Sequence, residues 1–128
     1  MKLVYEDLIG IPFLRNGKDA KTGLDCWTLA QEIFRRQGKI LPDFAHPGET
    51  SLIHKIFVEN EDIGIRLDIP EPFCIVVFEV VHGYKSHIGV VLEDGNKFIH
   101  AWSKAGGVCI ERLNSPSWIR KIAGYYRI

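Results

Sequence analysis

Two apolar-rich runs, His87-Ile88-Gly89-Val90-Val91-Leu92 and Lys97-Phe98-Ile99-His100-Ala101-Trp102, flank the short cluster Glu93-Asp94-Gly95-Asn96. An Asp-Gly turn between two such runs predicts a tight antiparallel hairpin, and a hairpin fixes which side chains face each other. If Glu93 pairs with Asn96, His87 falls opposite Trp102 and Gly89 opposite His100. The two histidines then share one face as diagonal neighbours, with Cα atoms about 7–8 Å apart, and their rings can hydrogen-bond. Ile88, Val90, Leu92, Ile99 and Ala101 occupy the opposite face, which reads as a core face. A loop one residue longer would put the histidines on opposite faces. Glycine opposite His100 leaves room for a ring or for a substrate backbone.

The rest of the chain builds outward from this hairpin. Cys74 to Val81 is a nearly continuous β-branched and aromatic run, Val108 to Leu113 follows the turn Lys104-Ala105-Gly106-Gly107, and Gly124 to Ile128 closes the chain. With the hairpin these make about five antiparallel strands. Ile63, Ile65, Leu67 and Ile69 alternate with Gly64, Arg66 and Asp68, which predicts extended chain with one buried face. Upstream the periodicity is helical. Apolar residues at 26, 29, 30, 33 and 34 mark one helix face, Asp25 is the expected N-cap and Gly38 the expected stop. A second helix is expected from Thr50 to Glu59, and residues 3–9 form a short helical entry segment. Helices first and an antiparallel meander after predict an α+β fold, with N-terminal helices packed on a roughly five-stranded sheet. One domain, residues 1–128, accounts for the whole chain.

Composition narrows the function classes. Apolar residues make up 46% and charged residues 25%, the balance of a globular protein. Sixteen basic residues offset sixteen acidic ones, so no bulk charge attracts nucleic acid or an anionic membrane. Neither is expected as a partner. The first residues, Met1-Lys2-Leu3-Val4-Tyr5-Glu6-Asp7, carry acids where a signal peptide needs its apolar core. No apolar run approaches the roughly 20 residues that span a bilayer. Cytoplasmic synthesis without a signal peptide is expected. Three cysteines, at 26, 74 and 109, cannot all pair, and none sits in a C-x-x-C motif, which suits a reducing compartment or a free thiol with a function.

Cys26 stands where a polar, glycine-containing segment gives way to the first helix. Unpaired backbone N–H groups and the positive end of the helix dipole favour thiolate there, so the position suits a nucleophile with a pKa below the usual thiol range. A thiol nucleophile also needs an imidazole to carry its proton and a second polar group to orient that ring. His87 and His100 can supply both. The residues alone leave a second reading open, in which Cys26 is a packed core thiol and the histidines are ordinary half-exposed strand residues. A zinc site from His87, His100 and Cys26 or Cys109 has suitable donors but no close ligand spacing, so neither metal nor cofactor is expected. His46, His54 and His82 read as solvated, and Cys74 and Cys109 as inert core thiols.

Taken together, these motifs resemble the NlpC-type cell-wall cysteine peptidases, a papain-like family. Asp25-Cys26-Trp27-Thr28-Leu29 stands in place of the family's Asp-Cys-Ser-Gly-Leu helix start. His87-Ile88-Gly89-Val90-Val91-Leu92 resembles its His-Val-Gly-Ile-Tyr-Leu strand, and Phe98-Ile99-His100-Ala101 its Phe-Ile-His-Ala strand. Ile40-Leu41-Pro42 and the ending Gly124-Tyr125-Tyr126-Arg127 match as well, so the likeness covers roughly residues 10–128. The resemblance implies nucleophile Cys26, base His87 and orienting His100, with the Cys26 backbone N–H in the oxyanion hole. It also implies substrate contacts at Phe13, Asp25, Trp27 and Ser86. The implied reaction is cleavage of amide bonds in peptidoglycan stem peptides, mostly those to D-amino acids. An acyl transferase or amidase on the same scaffold, or a structural tail protein without turnover, are the alternatives. The departures point to specificity. Trp27-Thr28 replaces a small Ser-Gly pair, as in the family's bacteriophage-tail branch, which implies phage tail partners and a virion-associated location. Phe13 stands where the family often has a tyrosine that recognises the substrate's free amine, and Glu71-Pro72-Phe73 replaces the usual Gly-Asp before the central strand.

Overall fold

The computed structural model describes residues 4–41, 64–80, 83 and 85–128. Two short strands, β1 (Lys18–Asp19) and β2 (Gly23–Leu24), precede helix α1 (Cys26–Arg36). Then come β3 (Ile65–Leu67), β4 (Ile75–Phe78), β5 (His87–Val91), β6 (Lys97–Trp102), β7 (Gly107–Arg112) and β8 (Ile122–Arg127). The last six form one sheet in the order β3-β8-β4-β5-β6-β7, with every neighbouring pair antiparallel. The fold is α+β, as the periodicities predict. It has a sixth strand because the alternating run after Gly64 pairs with β8 and extends the sheet. The entry segment is a single 3-10 turn, Glu6–Leu8. The second expected helix, Pro42, His46, His54 and His82 lie outside the described residues.

Helix α1 starts on a reciprocal capping box. The Asp25 carboxylate accepts from the Thr28 N–H at 2.9 Å, and the Thr28 hydroxyl oxygen accepts from the Asp25 N–H at 2.9 Å. The other Asp25 oxygen accepts from the Asn16 N–H at 3.0 Å, tying the preceding loop to the helix start. At its far end the chain turns away at Gly38, whose φ of 75° lies in the region glycine enters without strain. Leu29, Ala30, Ile33 and Phe34 pack on Ile88, Val90, Ile99 and Ala101 of β5 and β6. This is the core face read from the hairpin.

The hairpin has the predicted register. Val90 pairs with Ile99 and Val91 with Phe98, and the Leu92 N–H donates to the Lys97 carbonyl at 2.8 Å across the turn. The far face of the sheet is buried too. Cys74, Val76, Phe78, Val91, Phe98, Leu113 and Trp118 form a second cluster there. Upstream, the segment around Pro12 and Phe13 is laced between β7 and β2, with bridges Pro12–Gly107 and Phe13–Leu24. It lies against the start of α1. Among the described residues no helix is long and apolar enough to cross a membrane.

Candidate active site

Strand pairing alone brings the two histidines together. The His87 Nε2 and His100 Nδ1 atoms are 2.8 Å apart, the diagonal contact expected from the register. Gly89 makes this possible, because a Cβ there would come within 2.8 Å of the Phe98 ring and 3.4 Å of the His100 Cβ. The space that glycine vacates is therefore filled by these side chains. It is not left open for a substrate backbone. Both imidazoles are buried, His87 at 5% exposure, between Phe78, Phe98, Trp102 and Trp118. The alternative reading of ordinary half-exposed strand histidines fails here because the His face is a second core.

A third polar residue continues the chain. Glu111 Oε2 lies 2.6 Å from His100 Nε2. The β6–β7 register sets this up: His100 pairs with Cys109 and Phe98 with Glu111, so all four side chains share a face. Glu111 escaped the sequence reading, although carrying the register through the Lys104–Gly107 turn would have placed it beside His100. Hydrogen-bond chemistry then orders the protons. A carboxylate oxygen accepts, so His100 Nε2 carries the ring proton and His100 Nδ1 accepts from the His87 Nε2–H. The lone pair of His87 is left on Nδ1. Burial first, and then the repulsion a protonated His100 would exert, hold His87 well below the usual imidazole range. Burial also lowers His100, with Glu111 opposing in part. Both rings are neutral at neutral pH.

Cys26 opens α1 and belongs to the helix-side cluster at 6% exposure. Backbone groups of Ile88, Trp27 and Cys26 itself act on its sulfur and partly favour the thiolate, and Ile88 follows His87 on β5. Among the described residues no hydrogen bond joins the sulfur to the His87 ring. Nor is Cys26 the low-pKa thiol that a helix start predicts. Burial pushes it up to about 12, Asp25 adds to the rise, and the backbone groups offset only part of it. A helix start lowers a thiol pKa where solvent reaches the first turn, and here Cys26 is buried in the helix-side core.

The four residues expected to touch substrate fall in different places. Phe13 is half-buried against the helix-side cluster, and its bridge partner Leu24 is two residues from Cys26. Asp25 and Trp27 are wholly buried, Asp25 as the helix cap and Trp27 as a core ring. Ser86 closes the loop before β5: its N–H donates to the Phe78 carbonyl at 2.9 Å, and its hydroxyl accepts from the Val80 N–H at 3.2 Å. Cys74 is buried, as read from sequence, whereas Cys109 is only half-buried and faces His100 and Glu111.

Comparison with known proteins agrees with this architecture. The model of the NlpC/P60 family matches residues 10–127. No curated protein matches the sequence. Among solved structures, an NlpC/P60 family protein from Bacillus cereus superposes with a TM-score of 0.69 at 22% identity, over 94% of this chain and 36% of that one. The NlpC/p60 domain of the peptidoglycan hydrolase SagA gives a TM-score of 0.64 at 17% identity, over 94% and 90% of the two chains. The peptidoglycan hydrolase RipB from Mycobacterium tuberculosis gives 0.61 at 16% identity, over 94% and 59%. The chain thus spans little more than a third of the Bacillus cereus protein.

Proposed function

The chain belongs to the NlpC/P60 family, and from that premise we propose that it is a thiol-dependent hydrolase of amide bonds in peptidoglycan stem peptides. The observation that carries the reading is the 2.8 Å contact between His87 and His100, with His87 on the strand that packs under the helix opened by Cys26. That SagA and RipB are peptidoglycan hydrolases supports the substrate class. Cys26 Sγ attacks the amide carbonyl carbon while His87 Nδ1 takes the thiol proton. The tetrahedral oxyanion is met by the Cys26 backbone N–H. Collapse breaks the C–N bond as His87 returns the proton to the leaving amine. Water, deprotonated by His87, then releases the acyl group and restores the thiol. Because thiol and imidazole both rest neutral, the base works during the attack and does not hold a preformed ion pair.

Phe13, at the approach to Cys26, offers ring surface without a hydroxyl, so stem peptides need no free amine. Asp25, Trp27 and Ser86 act on the site indirectly, through the helix cap, the core and the loop before β5. The finer assignment to a phage-tail hydrolase with tail partners rests on Trp27 following the nucleophile. A second reading, in which the fold persists without turnover, is favoured by one observation: the nucleophile is buried and its thiol pushed up to about 12.

Purified peptidoglycan incubated with the protein should release new amino termini, and Cys26→Ala should release none. Stem peptides with free and with acetylated amino termini should be cut at similar kcat/KM. Release that persists in Cys26→Ala would end the thiol reading. No release by the wild-type protein from walls of several compositions would favour the second. A strong preference for the free amine would remove Phe13 from its role.

A further inference from the structure

Behind the histidine pair three unlike donors converge. A His100 ring nitrogen, Cys109 Sγ and a Glu111 carboxylate oxygen all lie within 4.8 Å of one another. The convergence comes from the β6–β7 ladder, since Cys109 is the direct cross-strand partner of His100 and Glu111 lies two residues further along the same face. Cys109 Sγ is 4.0 Å from Glu111 Oε2, and that oxygen is 2.6 Å from His100 Nε2. Glu111 and Cys109 are half-buried, which leaves the cluster a path to solvent, while His100 is held rigidly inside.

We infer that His100, Cys109 and Glu111 form a site for a zinc-type divalent cation, with water as the fourth ligand. One imidazole, one thiolate and one carboxylate are all ordinary zinc ligands. In a tetrahedral site their donor atoms stand about 3.3–3.7 Å apart. The His100–Glu111 contact, now 2.6 Å, must open by somewhat less than 1 Å, and the sulfur, 4.0 Å from Glu111 and within 4.8 Å of His100, must move in by about 0.5 to 1.3 Å. Side-chain rotation of Cys109 and Glu111 supplies both shifts, because neither is fully packed.

Occupancy has a consequence for the histidine pair. Without metal, His100 Nε2–H donates to Glu111 and His100 Nδ1 accepts from His87. A cation on His100 Nε2 needs that nitrogen's lone pair, so the ring's one proton moves to Nδ1 and becomes the donor toward His87 Nε2. His87 must then accept there and carry its own proton on Nδ1. Each ring keeps one proton, and the Cys109 thiol proton leaves for solvent. His87 now has no lone pair for a thiol, and the cation switches the base off. Binding stands independently of the hydrolase assignment, and only the loss of turnover rests on that assignment.

Cobalt(II), titrated into the full chain, reports a thiolate ligand by its sulfur-to-metal charge-transfer absorption. The band should saturate at one equivalent, persist in a Cys26→Ala, Cys74→Ala double variant, and vanish in Cys109→Ala. Glu111→Ala should weaken zinc binding, measured by calorimetry, by at least about tenfold. Loss of the band in the double variant would place the ion on Cys26 or Cys74 and overturn the site. So would its survival in Cys109→Ala, or unchanged zinc affinity in Glu111→Ala. Should the protein release no peptide from peptidoglycan, the spectrum still decides the site. Where release occurs, stoichiometric zinc should suppress it in the wild type and much less in Cys109→Ala. Zinc bound at this cluster without suppression would refute the switch.

Discussion

The sheet is buried on both faces, and the two faces are built on different rules. Under α1, Leu29, Ala30, Ile33 and Phe34 meet Ile88, Val90, Ile99 and Ala101, an apolar contact held by burial alone. On the far face His87 and His100 sit among Phe78, Phe98, Trp102 and Trp118, and Glu111 terminates their hydrogen bonds at the rim. Burying imidazoles is costly unless each polar atom finds a partner. Among the described residues no buried side-chain nitrogen or oxygen lacks one. The helix face could exchange one aliphatic residue for another and keep its job, whereas on the histidine face each residue fixes the proton position of the next. The proposed nucleophile belongs to the first face and its base to the second.

The largest expected effect separates residues along the polar chain. If His87 carries the proton and the others only orient it, His87→Ala should cost about 10³-fold or more in kcat/KM on peptidoglycan peptides. His100→Asn and Glu111→Gln, which keep a hydrogen-bonding group in place, should each cost about ten- to a hundredfold. A Glu111→Gln variant as inactive as His87→Ala, with both folded, would give Glu111 more than an orienting part.

These contrasts also show what the sequence made legible. The hairpin register, the diagonal histidines, the Asp25 cap and the Gly38 stop all follow from local rules, and the structure has each of them. The second core was not legible from one hairpin. It needs Phe78 from β4 and Trp118 from the stretch before β8, and neighbour order across the sheet is a long-range property that periodicity does not carry. For the same reason the alternating run at Ile65 gave a strand but not its place beside β8, and the buried face expected of it is absent, since Ile65 and Ile69 are exposed at this sheet edge. Cys26 misled because a helix start was equated with an exposed helix start.

A middle-sized effect concerns acid. His87 and His100 have folded-state pKa values below the ordinary imidazole value of about 6.5. The unfolded chain therefore binds protons that the folded chain refuses. Stability is full above about pH 7 and declines as the pH falls below about 6.5, by up to about 1.4 kcal/mol per pH unit for each such group. Because the other histidines titrate as well, the informative quantity is a difference. In urea unfolding, His87→Gln should show a shallower decline than the wild-type protein across this window. Identical slopes would mean that His87 takes up its proton without unfolding, and the two faces would then differ less than their packing implies.

The smallest effect compares two thiols, one from each face. Cys26 is 6% exposed with its thiol pushed up to about 12. Cys109 is half-buried, and although burial and then Glu111 raise its thiol too, it has a route to solvent. In native protein near neutral pH and free of added metal, iodoacetamide should therefore modify Cys109 faster than Cys26, by about tenfold. The Cys26 rate should keep climbing with pH through the alkaline range, since thiolate is the reactive form and its fraction grows about tenfold per pH unit below the pKa. This ordering is compatible with catalysis, because a bound amide presents its carbonyl to the sulfur while His87 takes the proton. Mass spectrometry of peptides from briefly treated protein measures both rates together. Cys26 labelled first, with a rate already level at neutral pH, would mean a resting thiolate paired with a protonated His87. The nucleophile and its base would then form one ionic unit across the edge of β5, and the division between the two faces would fail at the point where the chemistry occurs.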